Sequence, residues 1–383
     1  MTTFPPVSRA RANVSATVKV AAIAAAVLVA PLPATASGGL FETTAKSASP
    51  SGTEEDTVGI KNGSFVAAPI PSRSIELGFG LAGIAAYLFQ MDEGSSASYF
   101  GLGYFESENN SLAYGAAGSL SFDNDNWKLG AYAGYADINY NMYIANLPVP
   151  LNQTGELADV SLKYQVAPEI YVGGEVQYFR SRVSLNSGGL LPPELTPSAR
   201  MSLLIGSVLA EYDTRDDTIY PTQGIFAEAK LSYGTDLDGL VDDYHRTIVK
   251  LQGHWPLGDN GVLVGRFTGC VNSASTPFFS KCAIGGTDSL RGFAPMRYVG
   301  NGLASVQGEY RHRFNNWFGA VAFAGAGMTD SDFDGTTGKQ VHAAAGIGLR
   351  VRLNKNFPLD YSIDAAISDE GDQSLYLYVG QRF

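Results

Sequence analysis

The chain has 383 residues, a net charge of −11 and 16% charged residues, well below the roughly 25% usual in soluble domains. An acidic chain with no basic patch does not steer toward phosphates, so no nucleic-acid partner is expected. High glycine (44) with 20 tyrosines and 20 phenylalanines suits membrane-crossing strands with aromatics at the two interfaces, and a soluble all-β fold is the other reading that composition allows.

Residues 1–36 read as a secretory signal peptide. Arg9, Arg11 and Lys19 supply the positive front, the run Val20 to Ala30 is the apolar core, and Ala34-Thr35-Ala36 matches a small-x-small cleavage site. Loss of those three positive charges takes the net charge from −11 to −14. The apolar run is shorter than the roughly 20 residues of a spanning helix, and no later segment reaches that length. A mature chain in a membrane must therefore cross as strands, and those strands must close, because an open edge in lipid leaves backbone groups unpaired. Residues 37–60, rich in Ser, Thr, Gly and Glu without a period, read as a flexible periplasmic tail. Residues 61–383 read as the barrel.

Sixteen strands are expected near 62–69, 75–90, 98–107, 111–122, 127–141, 157–166, 170–183, 199–211, 224–234, 243–256, 261–270, 303–313, 316–328, 339–353, 357–367 and 374–383. Pro69 and Pro71 are expected to cut the first one short, because proline tolerates only strand edges and ends. In 225–233, Ile225, Ala227, Ala229, Leu231 and Tyr233 share one face. In 303–313, Ser305, Gln307, Glu309, Arg311 and Arg313 share one side, opposite Ala304, Val306, Gly308, Tyr310 and His312. In 341–353, Val341, Ala343, Ala345, Ile347, Leu349, Val351 and Leu353 oppose Gln340, His342, Gly346, Gly348, Arg350 and Arg352. A period of two gives one apolar and one polar face. Charges of both signs on the polar face suit a wet lumen better than a dry core.

The connections sort by length. With both termini in the periplasm, the turns at 123–126, 167–169, 257–260, 314–315 and 354–356 are short, as periplasmic turns are. The connections 142–156, 184–198, 235–242, 271–302 and 329–338 are long and fall outside. The turns 91–97 and 212–223 are of moderate length. Tyr376 and Tyr378 alternate with Leu375, Leu377 and Val379 before the terminal Phe383, which resembles the aromatic strand ending that barrel-assembly machinery reads.

The longest connection, 271–302, carries GGTDSLRGF at 285–293. This resembles the Arg-Gly-aromatic loop motif of the outer-membrane assembly factor superfamily, whose members include barrel-insertion factors, two-partner secretion transporters and bacterial surface antigen barrels. The stretch YDTRDD (212–217) followed by YPTQG (220–224) resembles the family's periplasmic turn, with Asp213, Arg215, Asp216, Pro221 and Gly224 on its pattern. Glu309 and Arg311, and the terminal stretch with Asp364 and Phe383, match further patterns. The resemblance covers about 62–383 and implies an all-β transmembrane antiparallel barrel of about 16 strands, with the long outer loop folded into the lumen. It implies that Arg291 contacts acidic residues of the inner wall, with Glu309 and Asp364 as partners, that Gly292 allows a close backbone turn and that Phe293 packs the loop tip. The alternative for Arg291 is an exposed arginine, and for the 213–224 stretch a generic turn punctuated by Pro221 and Gly224. Only 37–60 precedes the barrel, so the chain resembles short members that lack the periplasmic repeat domains.

Cys270 and Cys282 are the only cysteines. In an oxidising compartment a disulfide is expected, and two free buried thiols are the alternative. No metal site or cofactor is expected, since the four histidines are scattered. No G-x-S-x-G elbow is present and no enzyme is expected. Two functions remain. One is protein insertion or translocation through a gated seam or lumen, with outer-membrane lipid around it and client or accessory periplasmic proteins as partners. The other is a passive solute channel or structural surface barrel.

Overall fold

A computed structural model describes residues 59–383 apart from 61–62, 75–76, 145–146, 187–197, 218–219, 278–279, 286–288, 295–296, 331–338, 355–356 and 383. The signal-peptide and tail assignments at 1–36 and 37–60 lie almost wholly outside the described residues, as does Phe383.

Sixteen antiparallel strands close into a barrel. The wall starts with β1 (Ser64–Ser74), β2 (Gly78–Phe89), β3 (Ser98–Ser107), β4 (Leu112–Phe122), β5 (Trp127–Ile144) and β6 (Leu147–Ala167). It continues with β7 (Ile170–Leu185), β8 (Ser198–Asp213), β9 (Gly224–Asp236), β10 (Tyr244–Leu257) and β11 (Gly261–Asn272). It is completed by β14 (Gly302–Arg313), β15 (Phe318–Asp330), β16 (Lys339–Asn354), β17 (Phe357–Ser368) and β18 (Gln373–Val379). Between β11 and β14 a separate hairpin forms from β12 (Cys282–Ile284) and β13 (Tyr298–Gly300). The sequence carried no signal for this hairpin, whose strands are too short to show a period. No helix of the described residues is long and apolar enough to cross a membrane.

The period-two faces hold throughout. Phe100, Leu102, Val160, Leu162, Val208, Leu231, Ile347 and Leu349 are exposed on the outside of the wall, where lipid covers them. Ser305, Gln307, Glu309, Arg311, Arg350, Asp364 and Tyr378 are buried on the inside.

Three expectations need correction. The segment 142–156 is not a loop, because β5 and β6 pair continuously out to Ile144 and Leu147. The connections therefore sort by length less cleanly than the sequence implied, with short links at 108–111 and 369–372 on the end opposite the termini. The first strand is not cut short either: β1 runs through both prolines and pairs with β2 at eleven positions. The last strand ends at Val379 and not at 383.

Two of the proline-bearing strands, β1 and β6, follow one rule. In an antiparallel strand the N–H and C=O of a residue point to the same neighbour, alternating along the chain. The Phe79 carbonyl accepts from Glu108 next to β3, so even positions of β2 bond β1. The register then makes even positions of β1 bond β2, and Pro69 and Pro71 direct their donorless nitrogens at β18. Pro150 likewise turns its backbone away from β5, since its carbonyl accepts from Asn186 N at 2.9 Å. The sequence argument treated proline as a strand breaker. The structure places it where the missing donor faces a ladder that is not being made.

The consequence is an uneven closure. The β1–β18 ladder registers one residue pair, Arg73 with Leu377, whereas β17–β18 registers seven. Continuing that register sets Val379 opposite Pro71, where β18 ends. Gly380, at φ 95°, starts the departure, its amide bonding the Asp360 carbonyl of β17.

Candidate functional site

Arginine 291 follows the hairpin strand β12 and lies against the inner wall. Its guanidinium donates through Nη1 to Asp364 Oδ2 at 2.9 Å and through Nη2 to Glu309 Oε2 at 2.6 Å. The guanidinium carbon lies 3.5 Å from the ring centroid of Phe323. Only 1% of the Arg291 side chain is exposed, and none of either carboxylate. A charge at such depth is tolerated only when its hydrogen bonds are made by opposite charges. The fork shape of arginine lets one side chain serve carboxylates on two different strands.

Both carboxylates are shared. Glu309 Oε1 accepts from Arg311 Nε at 2.7 Å. Asp364 accepts from Arg350 Nη1 at 2.5 Å and from the Tyr378 hydroxyl at 2.6 Å. Arg350 Nη2 reaches the same hydroxyl at 3.1 Å. Strands β14, β16, β17 and β18 thus converge on the tip of one side chain.

The neighbouring backbone is held as well. Ser305 Oγ and the Gln307 amide donate to the Ser289 carbonyl, the Tyr376 hydroxyl accepts from Gly292 N at 3.0 Å, and Ser374 Oγ donates to Gly292 O. Gly292 has φ 107°, and a Cβ there would stand 2.7 Å from the Ala344 methyl. Both the left-handed backbone and the close approach require glycine. Phe293 is buried with Ile284, Leu290, Tyr298, Leu303 and Ala344. Residues 286–288 of the motif lie outside the described residues.

Cys270, near the end of β11, and Cys282, at the start of β12, form a disulfide. At its other end the hairpin is tied to the β17–β18 link: Arg297 pairs with Glu370 and Asp372, and Tyr298 donates to Glu370. His342 stacks on Tyr298 at 3.8 Å between centroids. Beside the hairpin an apolar cluster joins Ile70, Leu77, Ile84 and Phe105 of the first three strands and their links with Ile138, Tyr140, Leu151 and Val299.

The turn 214–223 sits at the end of the barrel that carries the termini. Arg215 forks onto Asp213 at 2.8 and 2.7 Å and lies over Phe226. Asp216 accepts from the Thr222 and Gln223 amides at 2.9 and 3.1 Å and from the Thr222 hydroxyl at 2.5 Å. Burial alone would raise its pKa, but these donors outweigh burial and hold the carboxyl below its ordinary value. Gly224, at φ 108°, closes the turn where a Cβ would meet the Thr214 carbonyl at 2.3 Å. Pro221 accepts from Arg311 Nη1 at 3.5 Å. One file of contacts therefore runs from Arg291 through Glu309 and Arg311 to this turn.

A model of the Omp85 superfamily domain matches residues 89–383. The chain belongs to the Omp85 superfamily. It is an outer-membrane β-barrel of a Gram-negative-type bacterium. Among solved structures, this Omp85 barrel is similar to BamA from Haemophilus ducreyi lacking POTRA domains 1–3, with TM-score 0.58 and 15% identity, covering 86% of this chain and 71% of that one. It is also similar to CdiB from Acinetobacter baumannii (TM-score 0.57, 12% identity, 82% of this chain and 59% of that one). CdiB from Escherichia coli gives 0.56 and 12%, with 82% and 62% covered. At these identities the likeness speaks for the fold, and the chain spans less than two thirds of either CdiB. No curated protein matches the sequence.

Alternation and motif had pointed to Arg291, Glu309, Asp364 and Phe293. Arg350, Tyr376, Tyr378, Phe323 and Gln307 were not singled out. Parity already placed Arg350 inward, and a buried cation demands an acceptor, but which carboxylate it meets is a matter of strand register. Among the described residues no group of three or more metal-ligating side chains occurs.

Proposed function

We propose that this chain is a gated barrel that assists insertion or secretion of other proteins, and that its moving part is the seam between β1 and β18. The observation that carries this reading is the single registered pair across that seam, opposite two prolines that have no donor to offer it. Each missing ladder bond removes about 1 kcal/mol of net stabilisation, so this junction opens at lower cost than any other in the wall. An exposed strand edge is a template on which a client strand adds. Tyr361 donates to the Pro71 carbonyl across the gap at 3.4 Å, a contact that is easily given up.

In the same reading the Arg291 segment occupies the lumen and, with the apolar cluster beside the hairpin, keeps the resting barrel closed. The buried ion network favours this reading over a steady solute channel. Clients or accessory proteins would approach from the periplasm.

The test is a cysteine pair at the registered positions, Arg73→Cys with Leu377→Cys, studied by planar-bilayer recording and by insertion of a client barrel into liposomes. The oxidised pair should lose brief openings and insertion together, and reductant should restore both. Wild type in the same reductant controls for the native Cys270–Cys282 bond. Openings and insertion undiminished in the oxidised pair would overturn the seam mechanism. Large, steady conductance in every form would identify a solute channel instead.

A further inference from the structure

The end of the lumen that carries the termini is unusually rich in arginine for so acidic a chain. Tyr220, in the turn after β8, reaches across the mouth to β14 and β16. Its ring centroid lies 4.8 Å from the guanidinium carbon of Arg313, 5.5 Å from that of Arg352 and 5.6 Å from that of Arg311. Arg382, beyond the last strand, lies over Tyr376 and Tyr378 at 4.1 and 4.7 Å.

The carboxylates here are already engaged. Asp360 takes Arg352 Nε at 2.8 Å, Arg313 Nη2 and the Gln381 amide. Glu309 and Asp364 serve Arg291, Arg311 and Arg350. Asp216 of the turn is committed to Thr222 and Gln223. Six arginines, with Arg382 counted, thus face three wall carboxylates. Arg313 and Arg382 each bury two guanidinium N–H groups, Nε and Nη1, that have no acceptor among the described residues. Gln381 and Arg313 meet on the same Asp360 oxygen, which places the Arg382 backbone beside the Arg313 group.

Buried donors on a cation are costly unless an acceptor completes them. An anion with planar or tetrahedral oxygens, entering from the end that carries the termini, would complete these donors and match their charge. We propose that Arg313 and Arg352, beside Tyr220, form an oxyanion site in the periplasmic mouth of the barrel, which takes the carboxylate or phosphate of a ligand arriving from the periplasm. The guanidinium forks match either group, and the tyrosine ring gives the ligand body a face on which to lie. The site does not depend on seam opening, because its groups sit on β14, on β16 and in the turn after β8.

The experiment is isothermal titration of the refolded full mature chain in detergent, at fixed ionic strength with chloride as background. The probes are inorganic phosphate, N-acetylglycine and the uncharged N-acetylglycinamide. Saturable binding of phosphate, of N-acetylglycine or of both is expected, and none of the amide. Which of the two binds identifies the oxyanion. Arg313→Gln and Arg352→Gln should each weaken binding about tenfold, the equivalent of one charge-assisted bond. Arg180→Gln, an exposed position on β7, should not. If Arg313→Gln fails to refold, Arg352→Gln alone decides. No binding of either anion by the folded wild type, or undiminished binding by the Gln variants, would overturn the assignment.

Discussion

Arg291 and Asp364 are 73 residues apart in the chain and 2.9 Å apart between Nη1 and Oδ2. That one contact joins the long connection to the next-to-last wall strand. It also makes Arg291 the side chain whose loss should be felt most widely.

Arg291→Met removes one partner from a buried ion network and leaves Glu309 and Asp364 with less compensation. The expected cost is about 3–5 kcal/mol. Urea unfolding followed by heat-resistant gel migration measures it, and Arg291→Glu should lose heat resistance altogether. Unchanged migration of both variants would remove Arg291 from any structural role.

Gly292→Ala should destabilise on two counts. The left-handed backbone costs about 1–3 kcal/mol for a residue with a side chain, and the new methyl meets Ala344 at 2.7 Å. Ala344→Gly clears the space without relaxing the backbone. The double variant should therefore recover part of the loss in urea unfolding. Full recovery would show that the backbone carries no strain.

Replacing Cys270 and Cys282 with alanine frees a closed segment with a sequence separation of 12. A loop of that size gives about 3 kcal/mol when cross-linked. Most of the effect should be local, because the wall ladders do not pass through it. Limited proteolysis should cut the 273–301 connection faster, with the wall strands still protected. Equal cutting rates would mean that the hairpin is held by its Arg297 and Tyr298 contacts alone.

Acid should loosen the periplasmic turn. Asp216 is held below its ordinary pKa by the Thr222 hydroxyl and the amides of Thr222 and Gln223, against the opposing effect of burial. A depressed carboxyl adds stability that is fully present above its unfolded pKa and disappears as pH falls through the folded one. Protection of the Thr222 and Gln223 amides, their exchange relative to an unstructured peptide at the same pH, should be high at neutral pH and should fall below the ordinary aspartate range. Asp216→Ala should show low protection at every pH, and wild-type protection that does not change with pH would contradict the assignment.

Much of this molecule was legible as sequence. Alternation at 225–233, 303–313 and 341–353 fixed which residues face lipid and which face inward, because a strand reverses its side chains at every residue and a membrane punishes any lapse. The Arg-Gly-Phe motif and the inward parity of Glu309 and Asp364 named three members of the buried network. Proline was misread, because sequence shows that Pro69 and Pro71 lack donors but not toward which neighbour the missing donors point. That depends on ladder parity across β1, β2 and β18. The same limit hid the continued pairing of β5 and β6 and the reach of Tyr220 to Arg313. Composition and period determine the faces of each strand, since these are properties of one segment in its solvent. Register and closure decide which inward side chains meet, since an ion pair between residues 73 apart exists only once every intervening strand has taken its place.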